Sequence, residues 1–217
     1  MSIVAPEVNA SDYLTEDSPD IEPTVGTTIQ SGWDTATELL EQNNSEFPQD
    51  FKFNGEDATL IKFLQDQPFA VYEQHWIERP KGKKSFVCLG DECPLCEIAG
   101  DKPRGKFAFN VLVLSGKEKT VQVLTAPPSL GRLIKKSHED ERKGPIDREY
   151  WEISRMGTGP TTQYSLNFVR GRDLSEEWKV SEDTAKELEA TAVCFTADKV
   201  VRETPRSELL EIARSIS

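Results

Sequence analysis

The spacing His-x12-Cys-x4-Cys-x2-Cys, from His75 to Cys96, constrains this chain more than any other feature. It gathers three of the four cysteines and one of the two histidines into one stretch. Three thiolates and one imidazole, from His75, Cys88, Cys93 and Cys96, make a closed tetrahedral shell for Zn2+. A closed shell builds structure and does not activate water. A Cys-x-x-Cys pair alone also serves redox chemistry. The third thiol five residues upstream, and the histidine, turn the reading towards a structural zinc. A lone histidine in a strand is often simply packed, but the only other one, His138, falls in a charged loop far downstream. Cys194, in the apolar run Ala192–Phe195, reads as a buried free thiol.

The charge balance sets the second constraint. A net charge of −12 looks unsuited to a polyanionic ligand, yet its distribution is uneven. The first base is Lys52, and eleven acids precede it. Removing those eleven charges leaves residues 52–217 near −1, with local basic clusters. An acidic tail can compete with a polyanion for a basic groove, or recruit other proteins. The N-terminus has no basic segment followed by an apolar one, so no secretory signal is read, and no run approaches a membrane span. Four cysteines in that context argue for a reducing compartment and metal binding.

Along the chain, residues 1–31 hold three prolines and many acids without periodicity, which predicts a disordered tail. Residues 32–50 read as a short amphipathic helix, with Asp34 as N-cap, and a linker packing on the core. Residues 51–180 alternate in the manner of strands, with the metal loop inserted over 75–106. Runs at Leu60–Leu64, Pro68–Glu78, Phe107–Leu114, Lys119–Thr125, Glu149–Arg155 and Gln163–Arg170 are the candidates, and Gly100–Lys106 reads as loop. Ser129 is the expected cap of a helix ending at Lys135 and Lys136, and Asp173–Glu176 forms a capping-box pattern. Residues 181–217 read as a helical extension. There Thr204 caps, Pro205 opens the helix, and Leu209, Ile212, Ala213 and Ile216 form an apolar stripe. About five strands with one helix between the third and fourth outline a mainly β OB-fold, a five-stranded partly open barrel.

Aromatics interleave with bases along this sheet. Trp76 and Phe86 flank Arg79, Lys81, Lys83 and Lys84. Phe107 and Phe109 follow Lys102, Arg104 and Lys106. Tyr72, Lys135, Lys136, Trp151, Arg155, Tyr164 and Arg170 extend the set. Exposed rings stack on bases at about 1–3 kcal/mol each while cations track phosphates. Strands bury one face, so about half of the rings belong to the core. Enzyme patterns fail. Gly157-Thr158-Gly159 runs into Pro160 instead of a third glycine, Gly82-Lys83-Lys84-Ser85 lacks the upstream glycine of a P-loop, and the cysteine pair lacks deaminase order.

The Leu60–Leu64 run followed by Pro68-Phe69-Ala70, His75 thirteen residues before Cys88, the Cys-Pro-x-Cys knuckle and the strand Phe107–Leu114 together resemble a known family. It is that of the single-stranded-DNA-binding, helix-destabilising proteins of T-even phages and related tailed phages. The resemblance covers roughly residues 32–180. It implies a structural zinc lobe beside an OB-fold, with aromatic and basic side chains lining the cleft between them. It also implies a non-enzymatic protein coating single-stranded DNA in phage replication, recombination or repair, in the cytoplasm of an infected bacterium. The T-even pattern has a basic N-terminal arm and an acidic C-terminal tail. Here the acidic segment is N-terminal, so contacts with replication or recombination proteins are expected there. A zinc-stabilised protein-interaction module is the alternative reading, and a zinc-dependent nucleic-acid enzyme a third.

Overall fold

The apolar run Phe107–Leu114 requires a strand covered on both faces, and the other elements align to it. A computed structural model describes residues 48–116 and 118–216. The tail expected over 1–31, the helix expected over 32–47 and Lys117 of the expected turn lie outside the described residues.

The strands are β1 (Thr59–Phe63), β2 (Ala70–Trp76), β3 (Ser85–Val87), β4 (Arg104–Val113), β5 (Thr120–Ala126), β6 (Tyr150–Met156) and β7 (Gln163–Val169). They form one open antiparallel sheet in the order β3-β2-β4-β1-β6-β7, with β5 also on β4. β1 and β2 lie end to end along one edge of β4, with Ile61 opposite Val113 and Val71 opposite Phe107. β5 lines the other edge, with Phe107 opposite Ala126. Among the described residues the sheet thus has seven strands, against the five expected. β4 starts at Arg104, inside the stretch read as loop, because Arg104 and Gly105 pair with Gln74 and Glu73. β3 has only three residues and carries no periodic signal.

Among the described residues no ladder joins β5 to β7. That seam is filled from the start of the described chain. The Phe51 amide donates to Val123 at 2.9 Å, and the Phe53 ring sits 5.5 Å from Tyr164 on β7.

The helices are α1 (Pro94–Glu97), α2 (Pro128–His138), α3 (Leu174–Glu177), α4 (Glu182–Thr191), α5 (Ala197–Val200) and α6 (Arg206–Ile216). α2 covers one sheet face through Leu130 and Ile134, which join Phe63, Phe109, Val111, Leu124 and Trp151. Gly131 allows this approach, since a Cβ there would meet the Phe107 ring at 2.8 Å. α3 and α4 cover the upper part of the opposite face through Leu174 and Ala185, beside Leu60, Leu112 and Tyr150.

Helix starts shift from their expected places. α2 begins at Pro128 after Pro127, so Ser129 falls inside its first turn and does not cap it. Asp173 makes no side-chain cap, and α3 stops after four residues. The working cap is Ser181, whose hydroxyl accepts from the Thr184 amide at 3.1 Å and opens α4. α6 begins at Arg206, one residue after the expected start.

Beyond α4 the chain runs as a strap along the outer face of the sheet. The Asn110 side chain donates to the Phe195 carbonyl at 3.0 Å and accepts from the Phe195 amide at 2.9 Å. An amide can do both at once, so a buried Asn on β4 stands in for a neighbouring strand. Cys194, beside this clamp, is exposed and not buried as its apolar neighbours suggested. The clamp holds the strap at the Phe195 backbone and leaves the Cys194 side chain exposed.

Candidate metal centre and adjoining groove

Successive side chains on a strand point to opposite faces, and β2 uses this at its end. His75 is fully buried, while Trp76 is 62% exposed. His75 points with Phe86 of β3 into a small lobe formed by residues 85–101. Trp76, Gln74 and Tyr72 face the other way.

In the lobe, Cys88 is anchored by its amide on the Glu73 carbonyl at 2.9 Å. A short 3-10 turn, Gly90–Glu92, leads to Cys93, and Pro94 opens α1 where no amide hydrogen is needed. The amides of Cys96 and Glu97 return to the Cys93 carbonyl at 3.0 Å. The ligand atoms of His75, Cys88, Cys93 and Cys96 all lie within 4.8 Å of one another.

Three of the six distances within this group match a tetrahedral zinc shell. Bonds of about 2.3 Å to sulfur and about 2.0–2.1 Å to nitrogen separate ligand atoms by about 3.8 Å for S–S and about 3.6 Å for S–N. Cys88 Sγ and Cys96 Sγ are 3.7 Å apart. His75 Nε2 lies 3.4 Å from Cys93 Sγ and 3.5 Å from Cys96 Sγ. The other ring nitrogen, Nδ1, is 2.7 Å from Asp101 Oδ2. A carboxylate there accepts a hydrogen bond from Nδ1–H and leaves the Nε2 lone pair facing the sulfurs.

The thiols are electrostatically uneven. Burial raises Cys93, but the amides of Leu89, Cys96 and Leu95 and the Cys88 thiol outweigh it and hold the group at about 7. Burial, then Cys88 and Cys93, push Cys96 up to about 12. Burial also raises Cys88. One thiolate forms readily, and its charge opposes the next two. A divalent cation removes that opposition.

On the far side of β2 lies a groove of about 470 Å³. Tyr72, Gln74 and Trp76 form its floor with Ser85 and Val87, and Phe51 with Thr125 lines one flank. Lys83 and Arg202 supply positive charge, against one carboxylate, Asp50, among the described residues. Lys106 lies directly opposite Tyr72 on β4, with Arg104 opposite Gln74. Burial, then Arg104, lowers the Lys106 pKa. Burial raises the Tyr72 hydroxyl, against a hydrogen bond to Thr125 that lowers it.

The expected contact residues therefore divide. Trp76, Lys83, Arg104 and Lys106 gather on the groove face. Phe86, Phe109 and Trp151 do not, since all three are buried and closed to a stacking base. Phe86 is the centre of the lobe, with Arg79 and Lys83 over its ring at 5.5 and 5.3 Å. Phe109 lies edge-on to Phe63. Trp151 donates its indole N–H to the Ile146 carbonyl at 2.7 Å.

Phe107 and Lys135 border a separate apolar pocket of about 370 Å³ on the opposite sheet face. Tyr164 and Arg155 both engage Phe53, with Arg155 5.6 Å from its ring. Lys84 pairs with Glu78. Lys81, Lys102, Lys136 and Arg170 are exposed and line neither pocket.

Asp101, Phe51 and Arg202 were not singled out from the sequence. Asp101 belongs to a loop signal, Phe51 to the start of the strand-like region, and Arg202 to the extension read as helical. Comparison of the chain with protein-family models, curated proteins and solved structures finds no match.

Proposed function

We propose that this chain binds single-stranded DNA without sequence preference and without catalysis, as a coat during phage DNA replication, recombination or repair. The observation that carries the reading is the groove on β2. An exposed Trp76 and a half-buried Tyr72 share one groove with Lys83 and Arg202, while Lys106 and Arg104 stand opposite Tyr72 and Gln74 on the neighbouring strand and the cluster of three cysteines and one histidine lies behind β2. Rings at strand spacing stack on successive bases while cations follow the backbone. Zn2+ held by His75, Cys88, Cys93 and Cys96 would fix the lobe behind β2, whose residues Ser85 and Val87 share the groove floor.

The OB-fold reading has topological support. Taking β1 and β2 as one interrupted strand, the pairing order and the helix between β5 and β6 follow that of an OB barrel, apart from the β5–β7 seam. The resemblance to the zinc-bearing phage proteins agrees with both features.

The test is a fluorescence-anisotropy titration with oligothymidine, a duplex and RNA at two salt concentrations. Preference for the single strand is expected, with log K against log salt falling at about −0.7 per phosphate contacted. Three contacted phosphates give a slope near about −2. Equal affinity for duplex, or none for oligothymidine at low salt, refutes the proposal.

A further inference from the structure

The metal lobe is too small to hold its own shape. Its secondary structure amounts to a three-residue strand, one 3-10 turn and a four-residue helix. Its buried cluster is completed by a distant part of the chain. Leu209, Ile212 and Ala213 of α6 pack with Ile77, Phe86, Leu95 and the ligand Cys93, and Cys88 and Cys96 lie against the same cluster. Two polar contacts hold the approach. Lys83 Nζ donates to the buried Thr204 hydroxyl at 3.0 Å, and Arg206 Nε donates to the Glu92 carbonyl at 3.2 Å. Between this docked helix and the Asn110 clamp at Phe195, the strap passes the groove, where Val200, Val201 and Arg202 form its rim.

We infer that metal occupancy and docking of the C-terminal extension are one coupled equilibrium, so that loss of the ion releases α6 and lifts the 195–204 strap from the groove. The reason is shared surface. The ion fixes Cys88, Cys93 and Cys96, and these same residues present the apolar patch that α6 covers. Without the ion the patch loses its shape, and the three buried side chains of α6 lose their complement. Linkage makes the effect reciprocal, so an undocked α6 weakens metal binding by the factor that the ion strengthens docking. The consequence for DNA rests on the function proposed above, whereas the coupling itself does not.

The test uses the full chain, zinc-loaded and chelator-treated, in amide hydrogen exchange. Residues 195–216 are expected to lose at least tenfold in protection on zinc removal, while β4 and β6 retain theirs. Equal protection of 195–216 in both states overturns the inference, and this arm needs no variant. In a second arm, the Leu209→Ala/Ile212→Ala protein competes with a chromophoric chelator for zinc. At least tenfold weaker zinc binding is expected, with an exposed-face control, Glu211→Gln, unchanged. Affinity within twofold of the parent overturns the inference. Oligothymidine titration reports the DNA reading separately, so the two fail independently.

Discussion

Replacing Asp101 tests whether the fourth ligand is held by a residue that binds no metal itself. Its Oδ2 sits 2.7 Å from His75 Nδ1, a length typical of a charge-assisted hydrogen bond. Partners of this kind are worth about 10–100-fold in metal affinity, or about 1.4–2.7 kcal/mol. The Asp101 side chain is 33% exposed, so solvent screens part of its charge and the lower half of that range applies. Asp101→Asn keeps an acceptor and should weaken zinc binding by about threefold to tenfold. Asp101→Ala removes it and should cost about tenfold or more. The backbone bond from the Asp101 amide to Leu95 survives both changes, so the loop stays anchored. Chelator competition gives the affinities, and the visible spectrum of the cobalt-substituted protein reports a tetrahedral shell of three sulfurs and one nitrogen. If Asp101→Ala binds zinc within twofold of the parent with an unchanged cobalt spectrum, the carboxylate does not orient His75 and the reasoning is wrong.

Three further outcomes follow from the same structure. Trp76→Ala should weaken oligothymidine binding by about 1–3 kcal/mol with little change in melting temperature, because the ring is exposed. Unaltered DNA affinity counts against the groove. Phe109→Ala should lower stability by about 3–5 kcal/mol in urea denaturation, as expected of a core ring. A loss under about 1 kcal/mol would contradict its placement. Burial, then Glu189, Glu182 and Glu149, push Tyr150 up to about 12. An unfolded tyrosine ionises near about 10. Between those values the unfolded chain releases a proton that the folded one keeps, so stability falls as pH rises. Tyr150→Phe should flatten that fall by at most about 2.7 kcal/mol, read from urea midpoints at about pH 9.5 and about pH 11.5. Identical slopes in parent and variant would exclude the effect.

The cluster of His75, Cys88, Cys93 and Cys96 was legible because its residues are close in sequence and its residue types are rare in this chain. Asp101 was not, because its partner lies 26 residues away and only the folded lobe joins them. Alternation located β4 to β7 and put Phe107 and Phe109 on one face correctly. It could not show which face α2 would cover, and that decides that Phe109 is core. Trp151 failed for the same reason: its neighbours come from β1, β7 and the Ile146 loop, not from its own segment. Leu209, Ile212 and Ala213 of the C-terminal stripe were legible as a docking face, whereas Ile216 is exposed, and the lobe they cover comes more than 100 residues earlier. Cys194 was misplaced because apolar sequence ordinarily signals burial, whereas the strap there is held through the backbone of Phe195.

The adjacency of His75 and Trp76 has a consequence for strand alignment. A slip of one position in β2 would reverse the direction of every side chain along it. It would turn Trp76 into the lobe and His75 out into solvent. β2 is half exposed and carries little buried apolar surface to resist such a slip. A coordination bond at residue 75 tolerates no such error. An ion bound by His75 and the three cysteines would act as an indexing pin, and the parity enforced at one position would align Tyr72, Gln74 and Trp76 at once.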